Sequence, residues 1–207
     1  MRLPAGDAQL VQIMDAALAE AARRAGVWLA CRPGCTQCCH GAFAINALDA
    51  ARLHAGMEAL RATDPALAGA IGARAQAWVA EHGPQFPGDP ATGILGESDA
   101  DRARFEKFAN SAACPALDPA TGHCDVYVWR PLTCRVFGPP VQMEEGLACC
   151  ELCFVGASEA EIAACAMALP HDVEEELLGQ IPSSGETVVA FALLAGRPNC
   201  AAMPAID

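Results

Sequence analysis

Basic side chains are scarce in this 207-residue chain: 13 Lys and Arg stand against 25 Asp and Glu, a formal charge of −12. The few cations are scattered, so no stretch gathers the positive charge that would hold a nucleic-acid backbone or an anionic membrane surface. Long apolar runs are missing too. The longest, Val188 to Ala195, is far too short to span a bilayer. From Met1 to Arg24 the apolar residues are interrupted by Asp7, Asp15 and Glu20, which reads as an amphipathic helix and not as an export signal. No Gly-rich phosphate loop follows a strand pattern, and no Ser/His/Asp group or general-base motif stands out. No self-similarity on the order of 20 to 50 residues marks a repeat protein. These absences predict a soluble, cytoplasmic protein that binds neither nucleic acid nor membrane.

Cysteine, by contrast, is abundant, with 12 residues. In a reducing compartment thiols at this density are metal ligands or buried side chains more readily than a disulfide framework, and the adjacent pairs Cys38-Cys39 and Cys149-Cys150 suit independent bridges poorly. Cys31, Cys35, Cys38 and Cys39 are spaced C-x3-C-x2-C-C on a segment broken by Pro33 and Gly34, a loop that can turn several sulfurs toward one point. The second half adds Cys114, Cys124, Cys134 and the group Cys149, Cys150, Cys153, whose C-C-x2-C order mirrors the first loop. Soft anionic sulfurs select zinc or an iron–sulfur cluster, and the Cys114-Pro115 step together with Arg32, Arg130 and Arg135 beside candidate ligands tilts the expectation toward iron–sulfur. Closing the chain of about 75 residues between Cys39 and Cys114 costs roughly 4 kcal/mol, against about 10–16 kcal/mol from a cysteine-rich metal site. Metal is therefore able to join the two halves into one or two four-sulfur sites. Neighbouring Cys38 and Cys39 are expected to point apart and serve different ions or different cluster corners. Cys165 and Cys200 read as ordinary buried or incidental thiols, and His40 and His123 as supports or exposed side chains beside the ligands.

The remainder of the chain is helical in pattern. Leu10, Val11, Met14, Ala17, Leu18 and Ala21 mark one face of a helix ending near Gly26; Asn46 and Asp49 open a second, with Leu53, Met57 and Leu60 inward; Asp64-Pro65 opens a third, with Leu67, Ile71, Ala75 and Trp78 inward, that stops at Gly83-Pro84. Residues 83–97 are Gly- and Pro-rich without period and read as a linker between two cysteine-bearing halves. Ser98 starts a short helix, and residues 124–129 carry the β-branched and aromatic content of a short strand. The S-x-x-E box at Ser158 launches a helix toward Leu169, Asp172 caps another reaching Ile181, and Thr187 to Ala195 forms a central apolar helix stopped by Gly196-Arg197-Pro198. The expected fold is mostly α: one compact helical domain over 1–207, with a motif core at 28–155 around a loop-borne cysteine cluster, and at most a short strand or hairpin near 124–137.

The ordered series Cys31-x3-Cys35-x2-Cys38-Cys39, Cys114-Pro115-Ala116-Leu117 and Cys124-Asp125-Val126-Tyr127-x2-Arg130-Pro131-x2-Cys134-Arg135-x-Phe137 resembles the cysteine-cluster family named for its CxxCxxCC box, over roughly residues 28 to 155. The resemblance implies a zinc- or iron-chelating domain with eight cysteine ligands: Cys31, Cys35, Cys38, Cys39, Cys114, Cys124, Cys134 and one of Cys149, Cys150 or Cys153. The first gap is three residues where the family name implies two, and Ala116 stands where Phe is usual; neither removes a ligand. Flagellin lysine N-methylase is the family's best-known relative.

The leading functional expectation is a metal-chelating protein using an iron–sulfur cluster or zinc for structure, sensing or electron transfer, with a protein as a further partner or substrate. A lysine N-methylase-like or redox-assisted modifying enzyme is the alternative implied by the resemblance, and it lacks a nucleotide-type loop. A dithiol switch at Cys38-Cys39 or Cys149-Cys150 is a third reading. The C-x3-C-x2-C spacing is also that of radical S-adenosylmethionine enzymes, whose β/α barrel this helical pattern cannot supply.

Overall fold

The computed structural model describes residues 2–32, 34–143, 146–182 and 185–195. Its elements are mostly α-helical, with two short antiparallel strand pairs among the described residues, and the chain divides into two compact units.

The first unit comprises Met1–Leu3, Thr36–Arg130 and Ile181–Asp207. Helices α2 (Ala47–Thr63) and α3 (Pro65–His82) form an antiparallel pair, because the chain between them is only Asp64. Each begins where its sequence signal lies: Asn46 accepts a hydrogen bond from the Asp49 backbone N–H at 3.0 Å, and Asp64 from that of Leu67 at 3.0 Å. Against both packs α8 (Val189–Leu194), which buries Val189, Ala192, Leu193 and Leu194 against Leu53, Met57 and Ile71. Large side chains buried this completely are worth about 1.5–3 kcal/mol each in transfer free energy. The expected helix over Thr187–Ala195 is shorter at its start because Thr187 is occupied in a bridge to Ile45, with hydrogen bonds of 2.8 and 2.9 Å. The stop signal at 196–198 lies outside the described residues.

Residues 83–97 fold inside this unit. After a 3-10 turn at Gly83–Gln85 come β1 (Gly88–Asp89) and β2 (Ile94–Leu95), held by Leu95 N–H donating to Glu186 O at 2.8 Å and the Thr187 hydroxyl donating to Gly93 O at 2.6 Å. Helix α4 (Asp99–Phe105) follows, capped by Ser98. The strand expected over 124–129 is replaced by a 3-10 turn, Tyr127–Trp129, with Cys124 contributing one isolated bridge to Leu117. Tyr127 and Trp129 donate back to Cys124 and Val126 at 3.2 and 2.8 Å, so backbone pairing is satisfied locally and no partner strand is needed.

Gly56 on α2 makes room for this turn: a Cβ there would fall 2.5–2.7 Å from Trp129 ring and Cβ atoms. Gly56→Ala therefore gains about 1 kcal/mol in helix propensity and loses more to overpacking, which typically costs about 1–3 kcal/mol. Gly69→Ala, on exposed α3 with open space around it, keeps the gain alone. Urea midpoints of the two variants are expected to move in opposite directions.

The second unit comprises Pro4–Cys35 and Pro131–Gln180. Helix α1 (Asp7–Ala25) buries Leu10, Met14, Ala21 and Ala25 and ends at Gly26, whose φ of 50° suits a residue without Cβ. It meets α5 (Leu132–Arg135) and α7 (His171–Leu178). Strands β3 (Val141–Met143) and β4 (Gly146–Ala148) pair in antiparallel register. Helix α6 (Glu159–Ala164) starts at the predicted capping box, where Ser158 and Glu161 satisfy each other's backbone N–H groups. It stops before Leu169 because Met167 leaves the helix to donate to Pro140 O at 2.7 Å and bridge Val141. Helix α7 takes Pro170, not Asp172, as its N-cap and ends at Leu178, short of Ile181.

Candidate metal centre

In the first unit, the backbone itself gathers four of the predicted ligands. Cys38 and Cys39 sit in a 3-10 turn, Gln37–Cys39, closed by Cys39 N–H to Thr36 O at 2.8 Å. The chain then pairs with residues 112–114: Gly41 N–H donates to Ala112 O at 2.9 Å, His40 bridges Ala113, and Cys114 N–H donates to Cys39 O at 2.7 Å. Gly41, at φ 90°, approaches so closely that a Cβ would lie 3.1 Å from Asn110 O. From Cys114 the chain turns (Leu117 N–H to Cys114 O, 2.9 Å) into a hairpin that returns at Cys124, with Asp125 N–H donating to Ala116 O at 2.8 Å. Arg74 of α3 clips both arms, donating to Pro115 O at 2.8 Å and to the Asp125 carboxylate at 2.5 Å. Hydrogen bonds to charged groups of this kind contribute about 1.5–3 kcal/mol.

That hairpin occurs twice. Asp89-Pro90-Ala91-Thr92-Gly93 and Asp118-Pro119-Ala120-Thr121-Gly122 are the same pentapeptide, 29 residues apart (118 − 89), a match confined to the turn and too short to mark a repeat unit. Both fold alike. The aspartate accepts from the second following N–H at 2.9 and 3.0 Å and from the threonine hydroxyl at 2.8 and 2.6 Å, and glycine closes each turn at φ 71°. Those threonine hydroxyls are the main reason both carboxyls are held below the ordinary Asp range. The flanking hydrogen bonds match too: Gly96 N–H to Pro87 O at 3.0 Å corresponds to Asp125 N–H to Ala116 O. Where the first hairpin carries Leu95, the second carries Cys124.

The four sulfurs sense one another. The Cys39 thiol donates a hydrogen bond to Cys38, which is the main reason Cys38 is lowered to about 6 while Cys39 is pushed far above the thiol range. Consecutive side chains of a 3-10 turn are only about a third of a revolution apart, so the two sulfurs meet where an extended backbone would part them. Burial raises Cys114 to about 12, with the charges of Cys124 and Cys38 adding to it, and burial likewise raises Cys124. The charges of Cys38, Cys114 and Cys124 add to the rise of Cys39, those of Cys124 and Cys38 to that of Cys114, and that of Cys38 to that of Cys124. Arg130 opposes this accumulation, favouring the thiolates of Cys38 and Cys124. Its guanidinium stacks 3.8 Å from the Tyr127 ring centroid, and its Nε is buried with no hydrogen-bond partner among the described residues.

The second unit holds the other candidates. Cys31 and Cys149 are exposed, Cys35 and Cys134 half-buried, Cys150 and Cys153 buried. Cys153 N–H donates to Cys150 O at 2.9 Å and Cys150 N–H to Gly138 O at 3.3 Å, while Phe154 N–H anchors the loop to Trp28 O at 2.8 Å. The Cys150 thiol is raised mainly by burial and also by Cys153, to which it donates, and by Cys35; Cys149 is raised mainly by burial, then by Cys153. Cys35, Cys150 and Cys153 thus interact, and Cys149 joins through Cys153. Cys165 is buried in the same apolar cluster as Cys150, Cys153 and Phe154; Cys200 lies outside the described residues. A cavity of about 300 Å³, lined by Met14, Leu132, Phe137, Val141, Cys149 and Cys150 among others, opens beside the thiols.

Of the three arginines expected near ligands, Arg130 acts on the thiols of Cys38 and Cys124. Arg135 is buried and donates to the Asp15 carboxylate at 2.9 and 3.0 Å, and Arg32 is exposed. His40 and His123 are both exposed. Among the described residues, no three His, Cys, Asp or Glu side chains are grouped closely enough to hold a metal ion as they stand. The donor set is otherwise suited to such a cation: four sulfurs, a nearby guanidinium with an unused buried N–H, and a backbone frame that holds the sulfurs together. No described helix is long and apolar enough to cross a membrane.

No curated protein and no solved structure matches this chain significantly. The model of the CxxCxxCC family, described as a putative zinc- or iron-chelating domain, matches residues 30–154, more than half of the sequence and the span that contains both thiol groups, and the chain belongs to that family.

Proposed function

We propose that the protein is a metal chelator whose thiolates, drawn from Cys31, Cys35, Cys38, Cys39, Cys114, Cys124, Cys134, Cys149, Cys150 and Cys153, bind an iron–sulfur cluster or zinc for structural, redox or sensing use. The observation that carries this reading is the backbone pairing that brings Cys38 and Cys39 beside Cys114 and Cys124, residues up to 86 positions apart in sequence (124 − 38). Sulfur-only donors suit both fillings, since zinc and each four-iron cluster take four thiolates. Bound metal would act here by cross-linking the chain and, if iron, by carrying an electron.

The test is to purify the protein without oxygen, record its absorption spectrum and measure iron, sulfide and zinc. Broad visible absorption with stoichiometric sulfide is the iron–sulfur result; a colourless protein with stoichiometric zinc removes electron transfer. Freely titrating thiols with neither metal would sink the proposal. The cavity beside Cys149 and Cys150 favours a second reading, a modifying enzyme whose substrate enters next to the thiols. That reading requires a candidate partner protein to lose a modification in a deletion strain.

A further inference from the structure

The metal reading leaves open how ten thiols are shared out. Sequence order suggests that Cys31 to Cys39 act as one loop, yet the division between the two compact units falls between Cys35 and Thr36. On the near side of that division lie Cys31 and Cys35, in the same unit as Cys134 and Cys149–Cys153; on the far side are Cys38 and Cys39, in the same unit as Cys114 and Cys124. Within residues 36–130 there are four cysteines and no more. One continuous ladder connects them: Cys39 pairs with Cys114 through a backbone hydrogen bond, Cys114 opens the turn into the 116–125 hairpin, and that hairpin returns Cys124 opposite Leu117. Arg74 holds Pro115 and Asp125 together, the residues that follow Cys114 and Cys124. Four sulfurs fill the coordination shell of a tetrahedral ion or the four corners of a cubane, with no position left open.

Resting on the metal reading above, we propose that Cys38, Cys39, Cys114 and Cys124 form one complete four-thiolate site contained in residues 36–130, needing no ligand from Cys31, Cys35, Cys134 or Cys149–Cys153, and that Arg130 is the positioning cation that offsets its charge. Four thiolates around a divalent ion, or around a cubane of charge +2, leave a net charge of −2. A buried excess of that size calls for a neighbouring cation with free donors. Arg130 has a buried Nε without an acceptor among the described residues, and its plane is fixed against Tyr127. All four of its cysteines are half-buried, whereas the other group spans exposed Cys31 and Cys149 and buried Cys150 and Cys153.

The test uses the intact protein, so it does not depend on a substituted chain folding. Load one sample with zinc and reconstitute another with ferrous iron and sulfide, then add an alkylating reagent with and without chelator and map modified cysteines by mass spectrometry. Cys38, Cys39, Cys114 and Cys124 are expected to be protected together, roughly tenfold or more relative to the metal-free protein, and to become reactive together as metal leaves. In a second arm, the variant with Cys31, Cys35, Cys134 and Cys149 changed to Ser keeps one metal equivalent, and adding Cys124→Ser to it removes that equivalent. Visible absorption distinguishes a cubane from a single ion in either arm. Arg130→Gln is expected to release metal to chelator roughly 10- to 100-fold more readily, and Arg130→Lys to recover part of the loss. Protection of only some of the tetrad in a metal-bound protein, or protection that spreads to the Cys149–Cys153 group in the same step, overturns this inference while leaving metal chelation standing. Failure of the unmodified protein to take up either metal overturns both.

Discussion

Cys114→Ser is expected to weaken sharply the metal binding proposed for the first unit. Apparent binding energies of about 10–16 kcal/mol for cysteine-rich sites, divided over four sulfurs, come to about 2.5–4 kcal/mol per ligand, a loss of roughly 10²- to 10³-fold in affinity. Cys114 is the ligand whose loss reaches furthest, because its own backbone makes the junction: its N–H binds Cys39 O and its O receives Leu117 N–H. Serine preserves both of those bonds, so the variant isolates the sulfur from the frame. A competition titration against a chromophoric zinc chelator measures the change. Retention of metal within about threefold of the unsubstituted protein, under conditions where that protein binds one equivalent at this site, would remove Cys114 from the ligand set.

Asp49→Ala is expected to lower the unfolding free energy by about 3–5 kcal/mol, a large fraction of the roughly 5–15 kcal/mol that holds an ordinary domain together. Asp49 and Arg52 form an ion pair on α2 in which both side chains are only 2% exposed. Taking away the carboxylate removes the counter-charge that Asp49 supplies to the buried Arg52 guanidinium, and the penalty is that of breaking a buried ion pair. Replacing both residues together, Asp49→Leu with Arg52→Met, removes charge and counter-charge at once and is expected to cost far less. Denaturant titration of the two single variants and the double variant gives the coupling. If the single and double variants lose the same stability, the pair is not what holds this part of α2. Because α2 packs against the Tyr127–Trp129 turn that follows Cys124, the single variants are also expected to weaken metal retention.

Much of this architecture was legible in the chain. Asn46, Asp64-Pro65, Ser98 and the Ser158 box start helices where a short side chain can take the first free N–H groups, a purely local matter. The errors arose where a distant partner decides. Residues 83–97 carry the composition of a linker, yet Glu186 and Thr187 pin them as a hairpin. Residues 124–129 have the side chains of a strand, but Val126 meets its burial through one inward turn and the backbone bonds to itself. The candidate site behaved likewise: sequence identified the thiols by type and spacing, whereas their grouping follows backbone pairing across residues 39–41 and 112–114, which spacing does not encode.

The twin pentapeptide hairpins bear on how the site would be loaded. The 87–96 hairpin has a leucine where its counterpart has Cys124 and holds the same turn, so this shape belongs to Asp-Pro-Ala-Thr-Gly and not to any ion. A loop that is already ordered pays no conformational entropy on capture, and all of the free energy of its sulfur–metal bond goes into retention. The apo protein would thus present Cys124 in place, waiting on the arrival of metal and not on the folding of the arm that carries it.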